Sequence, residues 1–66
     1  MYDKEYYRAE FNKLKKYLKL SHFATDCGIA YSNLSWFMKN NAYDHYMSID
    51  KCDILLNYIK NYFNQI

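Results

Sequence analysis

The sequence predicts an all-α fold, formed as a single domain over residues 1–66. Proline is absent and the one glycine is at position 28, so the chain has few of the residues that hairpin-rich folds need. Apolar side chains recur at steps of three and four, the spacing of one helix face, and no segment alternates as a strand does. A chain this short buries only about 60% of its unfolded surface, which favours one small helical core.

The first two helices have clear boundary signals. The first is expected over about residues 3–19, where Asp3 is suited to cap the start. Its apolar positions recur at steps of four, three and four: Tyr7, Phe11, Leu14 and Leu18. The second is short, about residues 21–27, with Ser21 as the expected N-cap. Gly28 is expected to end it, because glycine adopts left-handed geometry without steric cost.

The third helix is expected to begin near residue 31 and to run to about Lys39. Its apolar face consists of Leu34, Phe37 and Met38. Two asparagines follow at positions 40 and 41, and they are expected to end the helix because asparagine tolerates left-handed geometry.

The last helix is expected over about residues 48–63, after a segment at 42–47 that lacks periodicity and is predicted to be a loop. Ser48 is suited to cap this helix. Its apolar residues follow a spacing of three and four with a broad face: Cys52, Leu55, Leu56, Ile59, Tyr62 and Phe63. The whole chain is therefore expected to contain four helices.

The segment of about residues 20–39 meets the requirements of a helix-turn-helix. Ala24 provides the small side chain needed where the second helix crosses the first. Gly28 provides positive φ in the turn, and Ile29 provides the apolar plug behind it. The remaining core positions are occupied by Phe23, Cys27, Leu34 and Phe37.

This pattern, with its flanking helices, resembles the helix-turn-helix of the Cro and lambda-repressor-like (XRE) family of DNA-binding proteins. The resemblance covers roughly residues 9–63 and implies a four-helix domain that acts as a small transcriptional regulator, a repressor of the Cro type. The abundance of Phe, Tyr, Met, Ile, Asn and Lys favours an A/T-rich bacterial genome, phage or mobile element as the source.

The resemblance also implies that the helix starting near residue 31 enters the major groove of double-stranded DNA. The base-contacting positions carried over are Tyr31, Ser32, Asn33, Ser35, Trp36 and Lys39. Asparagine pairs with adenine, serine with several base edges, and aromatic rings with thymine methyls. Trp36 has two other interpretations, as an anchor for a protein partner or as a side chain folded onto the core. The family often has glutamine at the start of the first motif helix, where this chain has Leu20.

Charge is concentrated on the same part of the chain. The net charge is +2, but residues 13–41 carry +4 and the segments on either side carry −1 each. Such an excess favours contacts with the phosphate backbone, although lysines near a helix end are also common on a solvated face. The expected phosphate-contacting residues are Lys16, Lys19, Ser21, His22, Asn40 and Asn41. Lys39, at the end of the helix, is also suited to grip the backbone beyond the groove.

A homodimer is expected, because a single module of this size rarely binds DNA tightly. The last helix has apolar or aromatic residues nearly all round, more than one small core needs. The expected dimer interface consists of Leu55, Tyr58, Ile59, Tyr62, Phe63 and Ile66.

Other functions are weighed against DNA binding. The same fold can serve as a protein-binding inhibitor from a phage or mobile element, an anti-defence protein or anti-repressor with a host protein partner. A third possibility is an excisionase or a toxin–antitoxin component. No catalytic residues, metal ligands or cofactors are expected, because the only soft ligands, at positions 22, 27, 45 and 52, lack a metal-binding spacing. The absence of a membrane segment and of a disulfide framework favours a cytoplasmic protein.

Overall fold

The computed structural model describes residues 2–64, and every regular element in that range is helical. The elements are α1 (Lys4–Leu14), α2 (Leu20–Asp26), α3 (Tyr31–Lys39), a 3-10 helix (Asn41–Tyr46) and α4 (Ile49–Asn64). The prediction of an all-α fold is therefore confirmed for these residues. None of the described helices combines the length and the apolar character that crossing a membrane requires.

One hydrophobic core joins the four α-helices. α1 and α2 each contact both α3 and α4, and the 3-10 helix lies against α3. The core is formed by Tyr7, Phe11, Leu20, Ala24, Ile29, Leu34, Phe37, Met38, Met47, Cys52, Leu55, Leu56 and Ile59. The apolar faces predicted for the helices therefore supply most of the core, and Leu14 and Leu18 of the first face pack against it only partly buried.

α1 is shorter than the predicted helix over residues 3–19. Asp3 caps it as expected, because its Oδ1 accepts a hydrogen bond from the Tyr6 N–H at 2.9 Å, but the helix ends at Leu14. Leu18 and Leu20 both face the core, and residues two apart cannot share one face of a continuous helix. The chain therefore turns between α1 and α2, which lets both leucines pack against the core, Leu20 fully buried and Leu18 partly buried.

α2 begins one residue earlier than predicted. Its N-cap is Lys19, whose side chain makes no capping hydrogen bond, and the prediction that Ser21 caps the helix is wrong. Ser21 lies inside the first turn, where its carbonyl oxygen accepts a hydrogen bond from Thr25 Oγ1 at 2.8 Å. The early start follows from the burial of Leu20, which is part of the core.

The end of α2 agrees with the prediction. Gly28 has φ +72°, the one positive φ among the described residues. The Gly28 N–H donates to the Thr25 carbonyl at 3.0 Å, and the Ile29 N–H donates to the Ala24 carbonyl at 2.8 Å. This pair of bonds is a Schellman motif, and the apolar residue after the glycine is buried against the core as that motif favours.

α3 ends by a different mechanism from the predicted one. Asn40 has extended geometry, with φ −170° and ψ 179°, so neither it nor Asn41 adopts the left-handed conformation. The Asn40 Oδ1 instead accepts the Ala42 N–H at 2.9 Å and caps the 3-10 helix. The prediction of a loop over residues 42–47 is therefore wrong for most of that segment.

α4 follows the prediction closely. The Ser48 Oγ accepts the Lys51 N–H at 3.2 Å, as expected of an N-cap, and the helix extends to Asn64. Its buried residues are Cys52, Leu55, Leu56 and Ile59. Leu55 and Ile59, which were predicted to lie at a dimer interface, are thus buried in the core of the single chain.

Candidate nucleic-acid interface

α3 presents one face to the core and the other to solvent. Leu34, Phe37 and Met38 of α3 are buried. Ile29, which follows the turn at Gly28 and precedes α3, is also buried in the core. The residues between these buried positions form the outer face. This arrangement leaves the outer side of α3 available for a ligand.

The six residues predicted to contact bases all lie on α3, with different degrees of exposure. Those exposed are Tyr31, Ser32, Trp36 and Lys39, whereas Asn33 and Ser35 are half-buried. Ala30 occupies the N-cap position of α3 and its side chain makes no capping hydrogen bond. The first turn therefore begins without a side-chain acceptor for its N–H groups, which are the donors that a helix start offers to an anion.

Trp36 packs against the 3-10 helix and not against the core. Its ring lies 4.9 Å from the Tyr43 ring and 6.1 Å from the Tyr46 ring, with the second pair nearly parallel. The Lys39 ammonium lies 4.0 Å from the centre of the Trp36 ring, in a cation–π contact. The indole remains 39% exposed, so the tyrosines fix its position and leave part of it open.

A polar stripe on α1 holds the carboxyl end of α3. Arg8 Nε donates to the Phe37 carbonyl at 2.8 Å, and its guanidinium also lies 4.6 Å from the centre of the Phe37 ring. Asn12 Nδ2 donates to the Met38 carbonyl at 3.0 Å. The last carbonyls of a helix have no partner within the helix, and here α1 provides two of the missing donors.

The same stripe holds the 3-10 helix through Asp44. The Arg8 guanidinium forms ion pairs with Asp44 and with Glu5, and the Lys4 ammonium donates to the Asp44 carbonyl at 2.9 Å. Burial by itself lowers the pKa of Arg8, but the hydrogen bonds that Arg8 donates to the Asp44 and Glu5 carboxylates outweigh burial and raise that pKa. Arg8 is thus a buried, permanently charged link between α1, α3 and the 3-10 helix.

Sequence reasoning missed Arg8, Asn12, Asp44 and the two tyrosines that support Trp36. A signal was present, because Lys4, Arg8 and Asn12 recur at steps of four beside the apolar face of α1. Such a stripe indicates a helix face that contacts polar groups. Which groups these are depends on the later segments that pack against α1, here the end of α3 and the 3-10 helix. The sequence of α1 alone does not indicate those segments.

The predicted phosphate-contacting residues are only partly free. Lys16, Lys19, His22 and Asn41 are exposed, whereas Ser21 is half-buried. Asn40 is exposed, but its side-chain oxygen is engaged as the cap of the 3-10 helix. Leu20, at the position where the resembled family often has glutamine, is buried and belongs to the core.

The remaining predicted dimer residues lie at the end of α4. Tyr58 is half-buried and its hydroxyl donates to Asp26 Oδ2 at 2.8 Å, and this hydrogen bond is the main reason that its pKa is raised. Tyr62 and Phe63 are exposed and contact the Phe23 ring at 5.3 and 6.3 Å. Ile66 lies outside the described residues.

Both cysteines are free thiols, and burial governs their chemistry. Burial raises the pKa of Cys27 and raises the pKa of Cys52 to about 11. Thiols with raised pKa are poor nucleophiles at neutral pH. Within residues 2–64, no group of three or more His, Cys, Asp or Glu side chains is arranged to hold a metal ion.

When the chain is compared with models of known families, with curated proteins and with solved structures, it has no match in any of the three. A function for the chain is therefore inferred from the geometry of α3 and of the residues that hold it in place. That geometry combines a helix clamped at its carboxyl end, an exposed outer face and lysines in the connection before α2.

Proposed function

We propose that the protein is a small DNA-binding transcriptional regulator of the lambda-repressor-like helix-turn-helix type. In this proposal α2 and α3 are the two motif helices, and α3 lies in the major groove of double-stranded DNA with its first turn at the base edges. The protein acts as a homodimeric repressor in the cytoplasm of a bacterium, encoded by the host, a phage or a mobile element.

The observation that carries the proposal is the junction between α2 and α3. Gly28 with positive φ ends α2 by a Schellman motif, Ile29 is buried behind the turn, and the small Ala24 of α2 is fully buried in the core. α3 then leaves its outer face exposed. A helix that fills a DNA groove needs this combination of a fixed entry angle and a free outer face.

The chemistry of the outer face supports base contacts. Ser32 at the first turn suits donor or acceptor edges, and Asn33 suits adenine. Lys39 stands at the other end of α3, followed by the exposed Asn41, where a phosphate contact is expected. The exposed lysines at positions 16 and 19 add the positive charge that non-specific affinity requires.

Binding of labelled DNA measured by fluorescence anisotropy tests the proposal. Selection from a random duplex library first supplies the preferred sequence, and the upstream region of the protein's own gene is a natural second probe. Affinity is expected to fall steeply between 50 and 200 mM salt, by about 10³-fold or more if six or more phosphates are contacted. Affinity that does not change with salt would contradict the proposal.

Two substitutions separate base contacts from phosphate contacts. Asn33→Ala is expected to reduce discrimination at one base pair by about 1–3 kcal/mol, while Lys39→Ala weakens binding to all sequences alike. Lys51→Ala is the matched control, because Lys51 is an exposed lysine on α4 and not on α3. An equal loss with all three variants would argue against α3 as the DNA-binding helix.

A second candidate function is a protein-binding inhibitor, and the partly exposed Trp36 supports it. Aromatic residues dominate protein interfaces, and the exposed part of the indole lies beside the half-buried rings of Tyr43 and Tyr46. For this function Trp36→Ala abolishes capture of a host protein, and the affinity for DNA remains weak and independent of sequence. The two functions are therefore separated by the same anisotropy measurement.

A further inference from the structure

A groove with a volume of about 290 Å³ opens between α1 and α4, away from the outer face of α3. Leu56 and Ile59 line it and are buried in the core, so they form its bottom. Leu14 and Phe63 also line it, and Phe63 remains 45% exposed. No residue that lines the groove belongs to α3. A molecule seated here would leave the outer face of α3 accessible.

The two rims of the groove carry opposite charges. Glu10 lies on the α1 side and Lys60 lies on the α4 side. Glu10, whose side chain is half-buried, is also 3.3 Å from the exposed Lys13. An i, i+3 pair with one exposed partner contributes about 0.3–0.5 kcal/mol and leaves the carboxylate able to accept another cation. The groove is thus apolar inside, negative along one edge and positive along the other.

Two aromatic side chains stand beside the groove without full cover. Phe63 and Tyr62 lie in the last turns of α4. Among residues 2–64, Phe23 of α2 is the only aromatic residue of another helix that packs on them. Aromatic side chains contribute much of the burial energy of protein interfaces. This end of α4 therefore presents a solvent-exposed apolar surface next to the groove.

We propose that this groove is where a second copy of the chain docks, in a two-fold arrangement. The last turns of α4 from each copy cover the groove of the other, and the two Phe63 rings meet across the axis. Lys60 of each copy faces Glu10 of the other. A two-fold interface must be complementary to itself, and a groove with one acidic and one basic rim meets that requirement.

This docking surface specifies the contact of the homodimer in the proposed function. Only its biological role rests on that function. The docking surface also narrows the interface predicted from the sequence. Phe63 lines the groove and Ile59 lies at its bottom, whereas Leu55 is buried in the core and does not line the groove. The proposed dimer contact lies at the junction of α4 with α1.

Sedimentation equilibrium in the absence of DNA tests the apolar part of the contact. The wild-type chain is expected to be a concentration-dependent dimer, and Phe63→Ala is expected to raise the dimer dissociation constant by at least about tenfold. Ile54→Ala is the matched control, since Ile54 is 56% exposed on α4 and does not line the groove. Its dissociation constant is expected to equal that of the wild type. Equal effects of both variants, or a monomeric wild type at every concentration, would overturn the proposal.

Charge reversal tests the pairing across the axis. Lys60→Glu and Glu10→Lys each place like charges together in a homodimer, and each is expected to weaken it by about tenfold. When the two variants are mixed, both pairs of opposite charge are restored, so a heterodimer is expected at near wild-type affinity. If Glu10 and Lys60 paired only within one chain, mixing would restore nothing, and that result would refute the proposed pairing.

These measurements are independent of DNA. If the dimer forms as described but no DNA sequence is bound, the proposed function fails and the docking surface stands. If DNA binds a monomer that never dimerises, the docking surface fails and the helix-turn-helix function stands. Circular dichroism of every variant, expected to match the wild type, confirms that each change acts on association and not on folding.

Discussion

Arg8 Nε donates a hydrogen bond of 2.8 Å to the carbonyl oxygen of Phe37 and so joins α1 to the end of α3. The same guanidinium pairs with Asp44 of the 3-10 helix. One side chain thereby ties both α3 and the 3-10 helix to α1, in addition to the direct packing of Trp36 on Tyr43 and Tyr46. Together with Asn12, Arg8 holds the carboxyl end of α3.

Replacing Arg8 with Met is expected to lower the free energy of unfolding by about 2–3 kcal/mol. The substitution leaves the Phe37 carbonyl without its donor and removes the hydrogen bonds to charged groups that hold Asp44. Urea denaturation followed by circular dichroism measures the change. Lys13→Met is the control, because Lys13 is an exposed lysine that pairs only with Glu10, and its replacement is expected to cost less than about 0.5 kcal/mol. Equal costs for the two variants would contradict a structural role for Arg8.

Replacing Gly28 with Ala is expected to cost about 1 kcal/mol. A Cβ at this position meets no atom within 4 Å, so the cost comes from the backbone at φ +72° and not from a clash. Gly28→Asn is the informative partner variant, since asparagine tolerates left-handed geometry and is expected to cost less. A larger loss with Asn than with Ala in thermal unfolding would show that space, and not φ, decides the preference.

Removing both tyrosines that support Trp36 is expected to expose the indole without unfolding the chain. The double variant Tyr43→Ala and Tyr46→Ala deletes the two rings that lie 4.9 and 6.1 Å from the tryptophan. Trp36 is the one tryptophan in the sequence, so its emission is expected to shift to longer wavelength and its quenching by acrylamide to increase. Tyr17→Ala removes a tyrosine that is exposed in the turn after α1, and it is expected to leave both signals unchanged.

Stability is expected to fall as the pH rises from about 9 to about 11, in part because of Cys52. Burial raises the pKa of this thiol from 9.0 to about 11 in the folded chain, so the unfolded chain releases its proton first. The contribution of the Cys52 thiol to the free energy of unfolding is therefore fully present below pH 9 and is lost as the pH rises towards 11. Cys52→Ala is expected to show a shallower decline of unfolding free energy across this window. An unchanged slope would mean that other groups account for the whole effect.

The helix positions and the apolar faces were predictable from the sequence because they depend on local spacing. Gly28, Ile29 and Ser48 behave as expected, since a helix end and its cap are decided within a few residues. The end of α1 was not predictable in this way, because burial of both Leu18 and Leu20 depends on the whole core.

The candidate site could be predicted only in outline. The outer residues of α3 follow from its buried face, but the environment of Trp36 depends on a 3-10 helix whose sequence lacks any period. Two of the predicted dimer residues, Leu55 and Ile59, are core residues, which the sequence did not indicate for a related reason. A broad apolar stripe on α4 does not distinguish side chains that fill the chain's own core, such as Leu55, from those left at the surface.

The two ends of α3 differ in their hydrogen bonds, and this difference is expected to affect the rate of amide hydrogen exchange. Its carboxyl end is tied to α1 through Arg8 and Asn12, whereas its amino end starts at Ala30 without a side-chain cap. Fraying of the helix is therefore expected to start at the amino end, where amide protons exchange with solvent fastest. A ligand that engages this end closes the one open terminus of α3, so its arrival is expected to slow exchange there before anywhere else in the chain.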